Sequence, residues 1–221
     1  MSDQKLELYA YWRSSASYRV RIALALKGLE ATIRPVHLVR DGGQQHRAEF
    51  LALNPHGLVP CLVHGQNVLT QSLAIIEYLD ECFPEPQLLP DAPADRARAR
   101  MLAQSVACDL HPLNNLRVLK FLETHTNLSG PVRMDWYRHW TETGLQALEK
   151  QLRAVPGDPT FSIGDQPGLA DCCLLPQLYN ARRFNCSLDG CDRFVAICER
   201  LASDERIDKA APENQPDAES T

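Results

Sequence analysis

Four prolines, Pro84, Pro86, Pro90 and Pro93, fall within ten residues and divide the chain into two stretches of different pattern. Proline fixes φ and donates no backbone N–H, so this segment is not helix interior and reads as a linker over residues 84–93. Upstream of it strand and helix signals alternate; downstream the strand signals stop. The expected organisation is therefore an α/β domain over residues 1–83 and an all-α domain over residues 94–211. Beyond it, residues 212–221 read as a flexible acidic tail.

In the first stretch, Leu6, Leu8 and Ala10 alternate with Glu7, Tyr9 and Tyr11, the period of a strand. Arg13-Ser14-Ser15 breaks it, and Tyr18, Ile22 and Leu26 then stack at four-residue spacing on a helix over 17–27, with Gly28 at the C-cap position. Ile33 to Leu38 reads as a second strand, which Pro35 confines to an edge or an irregular stretch. After the Asp41-Gly42-Gly43 loop comes a short helix near 47–53. Cys61–His64 and Asn67–Thr70 flank Gly65-Gln66 as a hairpin, and Ser72 offers a capping hydroxyl to a helix over 73–81. The strand–helix–strand opening implies a right-handed parallel crossover, and the hairpin adds antiparallel partners. In the second stretch, helical periodicity runs over 94–123, 131–154, 169–182 and 191–202.

Composition narrows the function classes. A 221-residue chain that is 44% apolar and 23% charged can bury a core and is not a disordered sequence. Its net charge of −5, from 23 Lys and Arg against 28 Asp and Glu, lacks the positive footprint of a nucleic-acid or polybasic membrane binder. The first five residues carry no apolar leader, and the longest apolar run, Ile22 to Leu26, is too short to span a bilayer. The expected setting is the cytoplasm. With no Cys-x-x-Cys pair among the eight cysteines, most of them read as reduced core residues, and no metal site is expected.

Three places could carry chemistry. Arg13-Ser14-Ser15-Ala16-Ser17 lies where the first strand meets the first helix. There, free N–H groups, the positive end of a helix and serine hydroxyls suit an anion such as a thiolate; on the residues alone, simple N-capping is the stronger reading of the serines. Leu58-Val59-Pro60 precedes a strand. A cis Pro60 there would open the Val59 backbone to an extended peptide ligand, and an ordinary trans proline is the alternative. Gln71-Ser72, at a strand-to-helix junction, could hold a carboxylate or merely start the helix.

Taken together, these motifs resemble the zeta class of cytosolic glutathione transferases, from Leu6 to Asp217. The resemblance is carried by Ser14-Ser15-x-Ser17-x-Arg19-Val20-Arg21-Ile22-Ala23-Leu24, Gly43-Gln44-Gln45, Leu53-Asn54-Pro55, Leu58-Val59-Pro60 and the run from Gln71 to Leu79. In the second stretch, His111 to Arg117 and Pro176 to Phe184 match as well. It implies a thioredoxin-like N-terminal domain joined to a helical domain, a homodimer, and glutathione as cofactor. By the same resemblance, Ser14 stabilises the glutathione thiolate with Ser15 assisting, and Val59, held by Pro60 after it, pairs with the cysteinyl backbone. Gln71 and Ser72 hold the γ-glutamyl end, Gln45 reaches the tripeptide, and His111 and Asn115 approach from the helical domain.

The implied reaction is cis-to-trans isomerisation of a diketo acid, maleylacetoacetate to fumarylacetoacetate in aromatic amino-acid catabolism, by thiolate addition, rotation and elimination. Maleylpyruvate is the alternative substrate, and general glutathione transfer the alternative activity. Arg13, Arg117 and Arg183 are the candidates for holding substrate carboxylates, because a planar guanidinium binds them bidentately. Arg13 also flanks the thiolate site. Two departures stand out. Ala16 replaces a cysteine common in the family motif, which leaves thiolate stabilisation to Ser14. Gly168 replaces the usual Ser or Thr of a capping box that ends at Asp171, for which a penalty of a few tenths of a kcal/mol is expected.

Overall fold

The computed structural model describes residues 5–126 and 128–219. The reading of the N-terminus therefore rests largely on residues outside that range, as does the end of the expected tail at Ser220 and Thr221. The chain divides into two compact units, Met1–Leu89 with Ala202–Thr221, and Pro90–Leu201.

The first unit begins with β1 (Leu6–Ala10), α1 (Ser15–Leu26), β2 (Ala31–Pro35) and α2 (Ala48–Leu53), followed by β3 (Cys61–His64), β4 (Asn67–Thr70) and α3 (Ser72–Cys82). The sheet order is β2-β1-β3-β4. β1 runs parallel to β2 and antiparallel to β3, and β3 pairs antiparallel with β4. α1 packs on α3, and Leu8, Ile22, Leu62, Ile75, Ile76 and Leu79 are buried between sheet and helices. Gly28 takes φ +63°, the left-handed cap that lets its N–H reach Ala25 and that of Leu29 reach Leu24. β2 stops at Pro35, short of the expected Leu38, because Val36 onward turns away after one last bond to Ala10.

The register decides what gathers where. Ala10 lies opposite Pro35, Tyr9 opposite Cys61, and Cys61 opposite Thr70. The segment after β1, the loop after β2, the segment before β3 and the turn after β4 therefore all emerge at one end of the sheet.

The proline-rich segment is anchored rather than loose. Lys27 Nζ donates to Asp80 and to the Pro86 carbonyl, both at 2.7 Å, and Asp80 accepts from Leu88 N at 2.8 Å and Leu89 N at 3.2 Å.

The C-terminal segment departs from the expectation of a flexible tail. α9 (Glu205–Asp208) and a 3₁₀ turn at Pro212–Asn214 fold back onto the first unit, with Pro212 and Gln215 buried. Asp217 accepts from Trp12 N at 3.1 Å, and Ala218 packs against the cluster of Tyr11, Trp12, Val36, Phe50, Val59 and Cys61. The acidic groups that make this stretch look solvated in sequence are the ones that fasten it.

The second unit holds α4 (Pro93–Gln104), α5 (Leu116–His125), α6 (Gly130–Arg153), α7 (Leu169–Arg183) and α8 (Asp192–Ala202), around a core that includes Leu102, Leu145, Leu148 and Phe194. The expected continuous helix over 94–123 is broken. Ser105–Leu110 widens into a π segment, His111 N reaches back to Val106 O at 2.9 Å, and Pro112–Asn114 forms a 3₁₀ turn before α5 restarts. Pro112 has no N–H with which to continue the ladder. Asp171 keeps the acidic half of the capping box and draws further donors from Ser162, nine residues before it. Ser162 donates its N–H and its hydroxyl to Asp171 at 3.0 and 2.9 Å, and Gly168 N donates to the same carboxylate at 2.8 Å.

Candidate active site

Ser14 is the N-cap of α1: its Oγ accepts from Ser17 N at 3.2 Å, and its carbonyl accepts from Tyr18 N at 2.8 Å. The capping reading thus holds, and it does not exclude the other. An oxygen that accepts from an amide still carries its own proton, and that O–H can be donated to an anion at the helix mouth. Ser15 and Ser17 are buried, and Ser17 Oγ has no hydrogen-bond partner among the described residues.

Gln71, the N-cap of α3, adopts φ +70°. A side chain in the left-handed region costs of order 1 kcal/mol or more and marks a position held by its surroundings, here at a second helix mouth. Ser72 does not cap the helix as expected. It is the first helical residue, buried, and its Oγ accepts from Arg19 Nη1 at 3.2 Å. Arg19, itself buried on α1, thereby ties the two helix N-termini together.

Sequence reasoning assigned no separate role to Arg19, Arg21 or Asn54. Arg21 lies buried under the β1–α1 loop, donating to the carbonyls of Trp12 (2.9 Å), Tyr11 (3.4 Å) and Ala210 (2.9 Å). Asn54, buried, donates to Leu58 O at 2.6 Å and accepts from His56 N at 3.1 Å, shaping the turn that delivers Val59. The Val59–Pro60 peptide is cis. The available signal was in the sequence: a buried arginine inside an apolar helix and an Asn-Pro turn both ask for backbone carbonyls to satisfy.

Gln45 sits in the loop after β2. Its Nε2 donates to Leu38 O at 3.3 Å and lies 3.2 Å from His46 Nε2, while its buried Oε1 has no partner among the described residues. An unmatched buried acceptor costs about 1–3 kcal/mol, which a ligand N–H would recover. Gly43 makes room for this side chain; at φ +101°, a Cβ there would fall 2.6 Å from Gln45 Nε2.

Cys61, beside Pro60, is fully buried, and burial pushes its thiol up to about 11. It stays protonated at neutral pH and is no nucleophile there. Arg13, next to Ser14, stacks its guanidinium 4.3 Å from the Trp12 ring centre and has a quarter of its side chain exposed.

The structure thus brings Arg13, Ser14, Ser15, Gln45, Val59, Pro60, Gln71 and Ser72 to one end of one sheet. Of the remaining predicted residues, all in the helical unit, His111 and Asn115 meet: Nε2 of one is 3.2 Å from Nδ2 of the other, while Asn115 Oδ1 caps α5 by accepting from Arg117 N at 3.1 Å. Arg117 is exposed in the first turn of α5, and Arg183 ends α7 with its guanidinium 4.8 Å from the Phe184 ring centre.

Residues 13–82 match the family model of the glutathione S-transferase N-terminal domain. The chain is 47% identical over 213 residues to maleylacetoacetate isomerase of Pseudomonas aeruginosa, covering 96% of this chain and 98% of that one. A holo structure of maleylpyruvate isomerase, described as a bacterial zeta-class glutathione transferase, superimposes with a TM-score of 0.92 at 41% identity, covering 96% and 100% of the two chains. The maleylacetoacetate isomerase of Methylobacterium extorquens, crystallised with malonate and glutathione, gives a TM-score of 0.92 at 40% identity over 97% and 100%.

Proposed function

The chain belongs to the zeta class of glutathione transferases, and on that premise we propose that it isomerises maleylacetoacetate to fumarylacetoacetate with glutathione as its cofactor. The observation that carries this reading is the register of the sheet. It collects a capping serine, a left-handed glutamine, a cis-proline turn and an unmatched glutamine acceptor at one end, the polar groups an extended γ-glutamyl tripeptide requires.

When bound, glutathione supplies a sulfur nucleophile that adds reversibly to the conjugated double bond and so permits its rotation. The protein's part is to keep that sulfur charged. A thiol near pKa ~8.5 must drop by roughly 1.5 units to be half ionised at pH 7, which needs about 2 kcal/mol of preference for the anion. One charge-assisted hydrogen bond from Ser14 contributes about 1.5–3 kcal/mol and the α1 terminus a further 0.3–1 kcal/mol. Gln71 and Ser72 hold the γ-glutamyl carboxylate at the α3 mouth, Val59 pairs with the cysteinyl backbone, and Gln45 accepts from the tripeptide. Arg13 presents its guanidinium to a substrate carboxylate, a role also proposed for Arg117 and Arg183. His111 and Asn115 are proposed as further glutathione ligands.

A relative acting on maleylpyruvate stands at comparable likeness, so the substrate is decided by turnover. Purified protein should isomerise maleylacetone faster than maleylpyruvate in the presence of glutathione; an equal or reversed preference transfers the assignment to the shorter keto acid. Calorimetry should register glutathione binding, and its absence would remove the basis of the reading. The protein is further proposed to be a cytoplasmic homodimer. Among the described residues no helix is long and apolar enough to cross a membrane, and Val68 on β4 leaves an exposed apolar side chain for a second copy to cover.

A further inference from the structure

Glu219 stands at the meeting point of three cationic or donor side chains that flank the proposed glutathione site. Its Oε1 accepts from His37 Nε2 at 3.0 Å and from Arg40 at 2.6 Å, and its Oε2 lies 3.8 Å from Arg13 Nη2. The His37 end is rigid. Nδ1 accepts from the backbone N–H groups of Val39 (3.2 Å) and Arg40 (2.8 Å), so Nε2 carries the hydrogen and points it at the carboxylate. The ring packs edge-on against Tyr11 at 4.9 Å, and the His37 backbone exchanges hydrogen bonds with Gln44, through Gln44 Oε1 at 2.9 Å and Gln44 N at 2.8 Å. Two residues before, Asp217 clasps Trp12 N at 3.1 Å. Residues 217–219 thus form a strap that joins the β1–α1 loop to the loop carrying Gln45.

The charge balance decides what the strap does. Glu219 is one anion facing two arginines, and the hydrogen bond from His37 and the charge of Arg40 lower its carboxyl pKa. It remains charged at working pH. Its hydrogen bonds go to His37 and Arg40, whereas Arg13 stands at ion-pair distance without being hydrogen-bonded by it. Arg13 Nε is buried with no hydrogen-bond partner among the described residues, and the ring of Trp12 carries the guanidinium from beneath. Arg13 is thereby drawn toward a fixed negative charge while its terminal donors stay uncommitted to it, the arrangement required to meet a second carboxylate.

We infer that Glu219 is a positioning residue for the isomerisation: through its ion pair it orients Arg13 so that the guanidinium can receive a carboxylate of the diketo acid. This rests on the reading that Arg13 binds substrate, and a double-mutant cycle separates the two. Arg13→Ala alone tests the reading; it should raise the KM for the diketo acid, and an unchanged KM overturns both. Given that rise, Glu219→Gln should raise the same KM roughly threefold to fivefold, the range for a half-exposed ion pair. The KM for glutathione should change by less than twofold, malonate should weaken as a competitive inhibitor in parallel, and Glu219→Asp should recover part of the loss. In the Arg13→Ala background the Glu219→Gln effect should vanish. Equal effects on both KM values would mean that Glu219 only supports the fold and would overturn the inference. A lowered KM for the diketo acid would overturn it as well, since the strap would then compete with substrate.

Discussion

Ser14 has two duties that a pair of substitutions separates. Its Oγ caps Ser17 N, so Ser14→Ala removes the cap of α1 and should cost about 1 kcal/mol of folding stability. Glycine at the same position retains most of the capping preference and costs only a few tenths of a kcal/mol. Neither variant has an O–H to give to a sulfur anion. Loss of one charge-assisted hydrogen bond, about 1.5–3 kcal/mol, should raise the pKa of bound glutathione by roughly 1–2 units and slow turnover by about 10- to 150-fold at neutral pH. The assays are ultraviolet thiolate absorbance of the glutathione complex against pH, urea unfolding monitored by circular dichroism, and turnover of maleylacetone. Both variants should share the pKa rise and the rate loss, and only alanine should show the full stability loss. Raising the assay pH by two units should return much of the activity in both. If the thiol pKa is unchanged in both variants, Ser14 does not hold the sulfur and the assignment passes to Ser15 or Ser17. If activity falls only in the alanine variant, the hydroxyl matters through the helix rather than through the ligand.

Three further outcomes follow from the packing. Arg21→Met should destabilise the protein by at least about 3 kcal/mol in denaturant titration, since three buried carbonyls lose their donor; Arg21→Lys should recover little, because an ammonium cannot reproduce the fork. Burial raises Asp171 to about 6 against the three hydrogen bonds from Ser162 and Gly168 that favour its carboxylate. The folded state therefore holds that proton more tightly than the unfolded chain, so its contribution is full below about pH 4 and is lost as pH rises through 6. The stability of the wild type relative to Asp171→Asn should accordingly fall by up to about 3 kcal/mol between pH 4 and 7, and a gap that is flat over this range would refute the assignment. Gly144→Ala would place a Cβ 2.4 Å from Leu110 Cδ2. Overpacking of about 1–3 kcal/mol there should outweigh the helical gain of about 1 kcal/mol and lower the melting temperature.

The elements of the first unit were legible in the chain because their signals are local. Alternation marks β1, four-residue spacing marks α1, Gly65-Gln66 marks the hairpin, and the proline cluster marks where strand signals end. The glutathione motif was legible for the same reason, as runs of residues in register with a known family. What sequence alone could not settle were bonds between residues far apart in the chain. Ser72 looked like a cap until Arg19, 53 residues away, claimed its hydroxyl. The acidic stretch after Pro212 carries a solvated composition, and its placement depends on Trp12, Arg13, His37 and Arg40, which lie about two hundred residues upstream. Composition measures how costly a segment is to bury alone; only the folded chain decides whether partners are waiting to offset that cost.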